Sequence, residues 1–155
     1  RSAKSLIDVD QLCGSKLRYI PGNTRSRTMT DETYEIFVVD DDDAVRDSLC
    51  IMLATAYPSV IGYASGKQFL AEFRPRFRNC LVIDIHMPEM TGLDVIDRLA
   101  AMKTRIPSVL LTGRIDSALR ARAIASGVHR LLDKPVDYGE LVSAINAALT
   151  NPSLH

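Results

Sequence analysis

Five side chains spread along this chain carry the chemistry of a single reaction. Asp84 closes the apolar run Leu81-Val82-Ile83, and Asp40 and Asp41 close a run ending Val38-Val39. Thr112 ends Val109-Leu110-Leu111, and Lys134 follows Leu131-Leu132-Asp133. Such runs read as strands buried on both faces. Each polar side chain then stands where its strand leaves the core, and a charge there is costly unless it meets a partner. Three carboxylates brought together repel and raise one another's pKa values. A hard divalent cation relieves that repulsion, and magnesium is held by one or two carboxylates, water and phosphate oxygens. Asp41 and Asp84, with the backbone carbonyl of His86, are the expected direct ligands, and Asp40 is expected to act through water. Asp84 can then attack a phosphoryl group and become an aspartyl phosphate. Mg2+ and Lys134 stabilise charge on the transferring oxygens, and Thr112 can donate its hydroxyl to one of them.

The elements between these residues alternate. Strands are expected over 34–39, 60–63, 80–84, 107–112 and 128–132. Helices are expected over 44–56, from Ser65 to a stop at Pro75, from Thr91-Gly92, over 116–126 and over 137–149. Val45, Leu49, Met52 and Leu53 recur at helical spacing, as do Leu93, Val95, Ile96 and Leu99, and Leu141, Val142, Ile145 and Leu149. Phe69, Leu70 and Phe73 form the inner face of the second helix. Asp43 and Ser65 are the expected N-caps, and Gly127 the left-handed C-cap. Five strands alternating with five helices predict an α/β, flavodoxin-like, doubly wound parallel sheet of order 2-1-3-4-5. Its crevice opens at the carboxyl ends of strands one and three, which carry Asp40, Asp41 and Asp84.

A chain of 155 residues suits one domain with a real core and some residues left over. Its apolar runs fall short of the roughly 20 residues a membrane helix needs, so a cytoplasmic protein is expected. Cys13, Cys50 and Cys80 are odd in number and lack Cys-x-x-Cys spacing, which suits reduced thiols. Residues 1–30 hold six Lys/Arg against two Asp/Glu, whereas the rest of the chain is acidic. Residues 1–33 are therefore read as a flexible or vector-derived extension, 34–150 as the domain and 151–155 as a tail. Arg1 in place of a starting Met reads as a fragment or processed chain, and Met29 as a plausible native start.

Four stretches resemble the receiver domain of two-component response regulators. They are Val38-Val39-Asp40-Asp41, Asp84-Ile85-His86-Met87-Pro88-Glu89-Met90-Thr91-Gly92, Leu111-Thr112-Gly113 and Asp133-Lys134-Pro135. The wording from Asp41 to Leu49 is similar to the nitrogen-fixation-regulator subfamily. The resemblance implies phosphotransfer to Asp84 from a sensor histidine kinase or phosphotransfer protein, dependence on Mg2+, and slow hydrolysis of the aspartyl phosphate. It implies a cis Lys134–Pro135 bond that aims the lysine at Asp84. It also implies that the fourth helix, fifth strand and fifth helix form a face that changes on phosphorylation and meets a partner or a second copy. The output, expected to be transcriptional control, then lies in a domain absent from this chain, and the receiver itself touches no nucleic acid.

Leu131 departs from the family, which usually has Tyr or Phe three residues before the lysine. The usual switch, Thr112 coupled to an aromatic rotamer, is therefore not expected in that form. His86 and Arg114, two residues beyond Asp84 and Thr112, are expected to border the path of attacking water and tune phosphoryl lifetime. Two rival readings stand beside this one. One is a small phosphatase-like hydrolase using Asp84, although His86 stands where such enzymes need a second acid. The other is a receiver that docks or dimerises without switching, for which Leu131 argues. Gly62 to Gln68 lacks the spacing and the Ser/Thr of a phosphate-binding loop.

Overall fold

A computed structural model describes residues 17–19, 34–74 and 78–150. Among the described residues the chain forms a six-stranded sheet. β1 (Leu17–Tyr19) lies antiparallel on its edge, beside the parallel strands β2 (Glu35–Val39), β3 (Ser59–Tyr63), β4 (Asn79–Asp84), β5 (Ser108–Thr112) and β6 (Arg130–Asp133). The spatial order is β1-β3-β2-β4-β5-β6. Counted from Glu35, the parallel strands follow the expected order 2-1-3-4-5. Among the described residues five helices cover them: α1 (Asp43–Leu53), α2 (Gly66–Glu72), α3 (Gly92–Ala101), α4 (Ser117–Ala125) and α5 (Tyr138–Thr150).

The strands alternate between two cores, as a two-residue side-chain period requires. Ile36, Val38, Cys80, Val82, Val109 and Leu111 pack with Leu49 and Leu53 of α1 and with Leu141, Ile145 and Leu149 of α5. Phe37, Val39, Leu81, Ile83 and Leu110 face the other way, onto Phe69 of α2, Leu93, Val95, Ile96 and Leu99 of α3, and Ala123 of α4. The inner faces expected for α1, α2, α3 and α5 are the ones that pack.

Several boundaries differ from expectation. The N-cap of α1 is Asp42, not Asp43; its carboxylate accepts from the N–H groups of Ala44 and Val45. Asp43 is the first helical residue and pairs with Arg46 instead. The helix closes at Leu53, because the Ala54, Thr55, Ala56 and Tyr57 amides turn back onto the carbonyls of residues 50–53. β6 starts at Arg130 rather than Val128, since the Val128 amide closes the C-terminus of α4 on the Ala123 carbonyl. Gly127 has φ 72°, as its capping role requires. Ser65 caps α2, and that helix ends at Glu72 with Phe73 as its C-cap. Pro75, Cys13, Met29 and most of the 1–33 extension lie outside the described residues. β1 within that extension was not foreseen.

Gly92 opens α3 directly behind the phosphate-acceptor candidate. A Cβ at this position would come within 2.5 Å of the Asp84 carbonyl oxygen. Backbone cannot yield there as a flexible side chain can. Gly92→Ala is predicted to cost about 1–3 kcal/mol, the range of overpacked sites. Urea unfolding followed by circular dichroism measures this; a loss below about 0.5 kcal/mol would contradict the close approach.

Candidate functional site

The register of β2 against β4 pairs Val39 with Ile83, so Asp40 and Asp84 leave the sheet side by side. Both are buried, Asp40 at 1% and Asp84 at 5% exposure. Two carboxylates this deep in the protein need compensation. Lys134 supplies it: its Nζ lies 2.8 Å from Asp40 Oδ2 and 2.9 Å from Asp84 Oδ1. The Lys134 amide is itself bound to the Thr112 carbonyl at 2.7 Å, and the Lys134–Pro135 peptide bond is cis, as expected. Partial burial pulls the ammonium's pKa down, but the hydrogen bonds and charges of Asp40 and Asp84 outweigh it and raise the pKa. Lys134 therefore stays charged at every physiological pH.

Asp41 is exposed at the rim. One carboxylate oxygen from each of Asp40, Asp41 and Asp84 can be chosen so that all lie within 4.8 Å of one another. This oxygen-only donor set fits a hard cation such as Mg2+ and offers nothing to a soft one. Asp40 has little freedom to ligate directly. Its Oδ1 accepts the Asp42 amide at 2.9 Å and its Oδ2 accepts Lys134. Among the described residues no hydrogen bond reaches the His86 carbonyl oxygen, the other expected ligand.

The loop after Asp84 is pinned at both ends. The Ile85 amide donates to the Leu111 carbonyl, and the Gly92 amide donates back to the Ile85 carbonyl. Thr91 and Asp94 close a capping box at the start of α3. Glu89, at φ 65°, carries the loop's sharp turn, and its carboxylate reaches Lys67 of α2 at 2.6 Å.

Thr112 is fully buried and stands one residue beyond Leu111, the register partner of Asp84. Its hydroxyl is already committed: it donates to the Arg114 carbonyl at 3.0 Å and accepts the Arg114 amide at 3.2 Å. The structure thus joins Asp40, Asp41, Asp84 and Lys134 in one cluster, with Thr112 beside it but turned to its own loop. His86 and Arg114 are exposed on the two flanking loops. Leu131 is half-buried, pairs with Leu110 and packs at the margin of the α3 core. Sequence reasoning missed Arg46, which donates to the Asp40 carbonyl. Its signal was available: positions 46, 49, 50 and 53 form the buried stripe of α1, and one of them is charged.

The sequence profile of the response regulator receiver domain matches residues 36–146. The chain belongs to the response regulator receiver domain family. Among curated relatives, it is 34% identical to the response regulator protein TmoT of Ectopseudomonas mendocina, over 86% of this chain and 60% of TmoT. It is 36% identical to the transcriptional regulatory protein FixJ of Rhizobium meliloti, over 77% of this chain and 58% of FixJ. The solved structure of the response regulator StyR superposes with a TM-score of 0.71 at 34% identity, covering 76% of this chain and 60% of StyR. The receiver thus spans about three fifths of the length of these relatives. It is a receiver domain of two-component response regulators, with the flavodoxin-like fold of that family, and does not belong to a conventional enzyme family. Among the described residues no helix is long and apolar enough to cross a membrane.

Removing the Lys134 ammonium leaves two buried carboxylates without their shared partner. Lys134→Met is predicted to destabilise the metal-free receiver by about 2 kcal/mol, less than the 3–5 kcal/mol of fully buried pairs because the lysine is partly exposed. The raised pKa sets the sign with pH. The contribution is complete below the ordinary lysine value of 10.5 and is lost only as pH climbs through the higher folded value. Urea unfolding of both proteins in EDTA from pH 6 to 9 should give a constant difference. A difference that vanishes within this range would contradict the assignment.

Proposed function

We propose that this receiver takes a phosphoryl group onto Asp84 from the phosphohistidine of a sensor histidine kinase or phosphotransfer protein. The observation that carries the reading is a buried Asp84 bound to Lys134, beside Asp40 and Asp41. A carboxylate oxygen of Asp84 attacks phosphorus, the phosphorus–nitrogen bond breaks, and its electron pair leaves with the imidazole nitrogen. The Lys134 ammonium, already 2.9 Å from Asp84, is close enough to follow the phosphoryl oxygens. The Thr112 hydroxyl must release the Arg114 carbonyl before it can donate to one of them. Asp41, Asp84 and the His86 carbonyl would hold Mg2+, with Asp40 contributing through water. When bound, Mg2+ offsets the repulsion among the carboxylates and the charge on the phosphoryl oxygens.

His86 and Arg114, exposed on either side of Asp84, border the approach of hydrolytic water and tune the lifetime of the aspartyl phosphate. Release of the Thr112–Arg114 contact has no aromatic ring to follow it, because Leu131 stands at that position. The signal passes instead through the 113–116 loop to α4 and the face of α4, β6 and α5, which meets a partner or a second copy. The chain acts as a switch with slow self-hydrolysis rather than as a turnover enzyme. FixJ's description as a transcriptional regulatory protein supports control of transcription; the proposal puts that control in a further domain, with the receiver itself off the nucleic acid and the system cytoplasmic.

Incubation with acetyl phosphate and MgCl2, followed by intact-mass and peptide mass spectrometry, tests the acceptor. One hydroxylamine-labile phosphoryl group on Asp84 is expected, absent in Asp84→Asn and in EDTA. No adduct on the wild-type chain with Mg2+ present would overturn the reading, and catalytic turnover of a phosphomonoester would replace it with the hydrolase. The rate of phosphate loss is expected to shift when His86 and Arg114 are both replaced by alanine. An unchanged rate would remove their tuning role.

A further inference from the structure

We infer that Arg46 is a positioning residue for the cation site: its buried guanidinium fixes the backbone of Asp40 and thereby aims the Asp41 carboxylate. This rests on the metal reading proposed above. Arg46 sits in the buried stripe of α1 and is only 6% exposed. Its stem crosses β3 at Gly62, where a Cβ would come within 3.3 Å of Arg46 Cγ and Cδ and 3.1 Å of Cys50 Sγ. A larger residue on β3 would therefore push the arginine out of its track.

At the far end, Nη1 donates to the Asp40 carbonyl at 3.0 Å and Nη2 to Asp43 Oδ1 at 2.6 Å. Nε is buried without any hydrogen-bond partner. An orphaned buried donor on a charged group is unfavourable, and methionine or leucine would fill the same track without it. What those residues lack is the fork that reaches the Asp40 carbonyl and Asp43 together.

That fork completes the fixing of Asp40. Its amide donates to the Tyr63 carbonyl at 3.2 Å, its Oδ1 accepts Asp42 and its Oδ2 accepts Lys134. With the carbonyl held by Arg46, both peptide groups flanking Asp40 are set. Asp41 follows directly, and its carboxylate makes no hydrogen bond among the described residues. Only the backbone aims it toward Asp40 and Asp84. Arg46 thus acts on the cation through the Asp40–Asp41 peptide, without touching it.

The test uses the sign of an effect. Removing a cation close to an acidic cluster strengthens Mg2+ binding if charge alone matters. Loss of positioning weakens it. Calorimetric titration of the full chain with MgCl2 is expected to show about tenfold weaker binding in Arg46→Met, the lower end of what outer supporting groups contribute to metal sites. Arg46→Lys keeps the charge but not the fork, and a smaller weakening of about threefold is expected. If Arg46→Met fails to give a cooperative melt, the lysine variant carries the test alone. At saturating Mg2+, phosphorylation of Asp84 by acetyl phosphate is expected to return to near the wild-type rate in both variants. Unchanged or tighter Mg2+ binding in both variants would overturn the positioning role and leave the metal reading intact. A wild-type chain that binds no Mg2+ would overturn both.

Discussion

Two carboxylates at the ends of adjacent parallel strands, and the one ammonium that reaches both, are the constraint on which this molecule is built. Asp40 and Asp84 are almost wholly buried, and Lys134 bridges them. In that setting one positive charge cannot balance two negative ones together with the nearby Asp41. In the proposed function, that residual negative charge is what prepares the crevice for a cation and, through it, for a phosphoryl group. The sheet order follows from the same requirement. β2 and β4 are neighbours, which brings Asp40 and Asp84 together, and Lys134, following β6, reaches them across the end of β5.

The surroundings divide into a rigid half and a looser half. On the α1 side, Asp40 is bonded at its amide, its carbonyl and both carboxylate oxygens. On the α4 side, contacts are sparser. α4 buries only Ala123, and it leaves Ile124 exposed. Polar contacts tie it to α3: Arg122 to Asp94 and Asp97, and Ser126 to Asp97. Few buried apolar contacts make a segment easier to displace than a core helix. The Thr112–Arg114 contact stands between these halves, on the loop that leads from β5 to α4.

Much of this was legible in the residues because burial on both faces leaves a strong mark. The strands β2, β4 and β5 are continuous apolar runs, and each ends at a polar residue of the site. The order of the parallel strands followed from the regular alternation of strand and helix. Details that depend on single hydrogen bonds were less visible. Asp42 and Asp43 are the same residue type, and sequence alone does not say which carboxylate turns back to cap α1. Likewise the Thr112 hydroxyl could not be known to bind Arg114. β1 is three residues long, and its pairing is supplied by the edge of β3 rather than by any pattern of its own. Arg46 was overlooked because a lone arginine in a helix is ordinarily a surface residue; the helical stripe it shares with Leu49, Cys50 and Leu53 marks it as buried, and the contacts with Gly62 and the Asp40 carbonyl show what it holds.

Diffraction from crystals grown with MnCl2 tests the central claim most directly, because manganese reports its own position by anomalous scattering and accepts the oxygen ligands that suit magnesium. A single strong peak among the carboxylates of Asp40, Asp41 and Asp84, with Lys134 still against Asp84, is predicted. An empty cluster at saturating Mn2+, or a peak elsewhere on the receiver, would contradict the account.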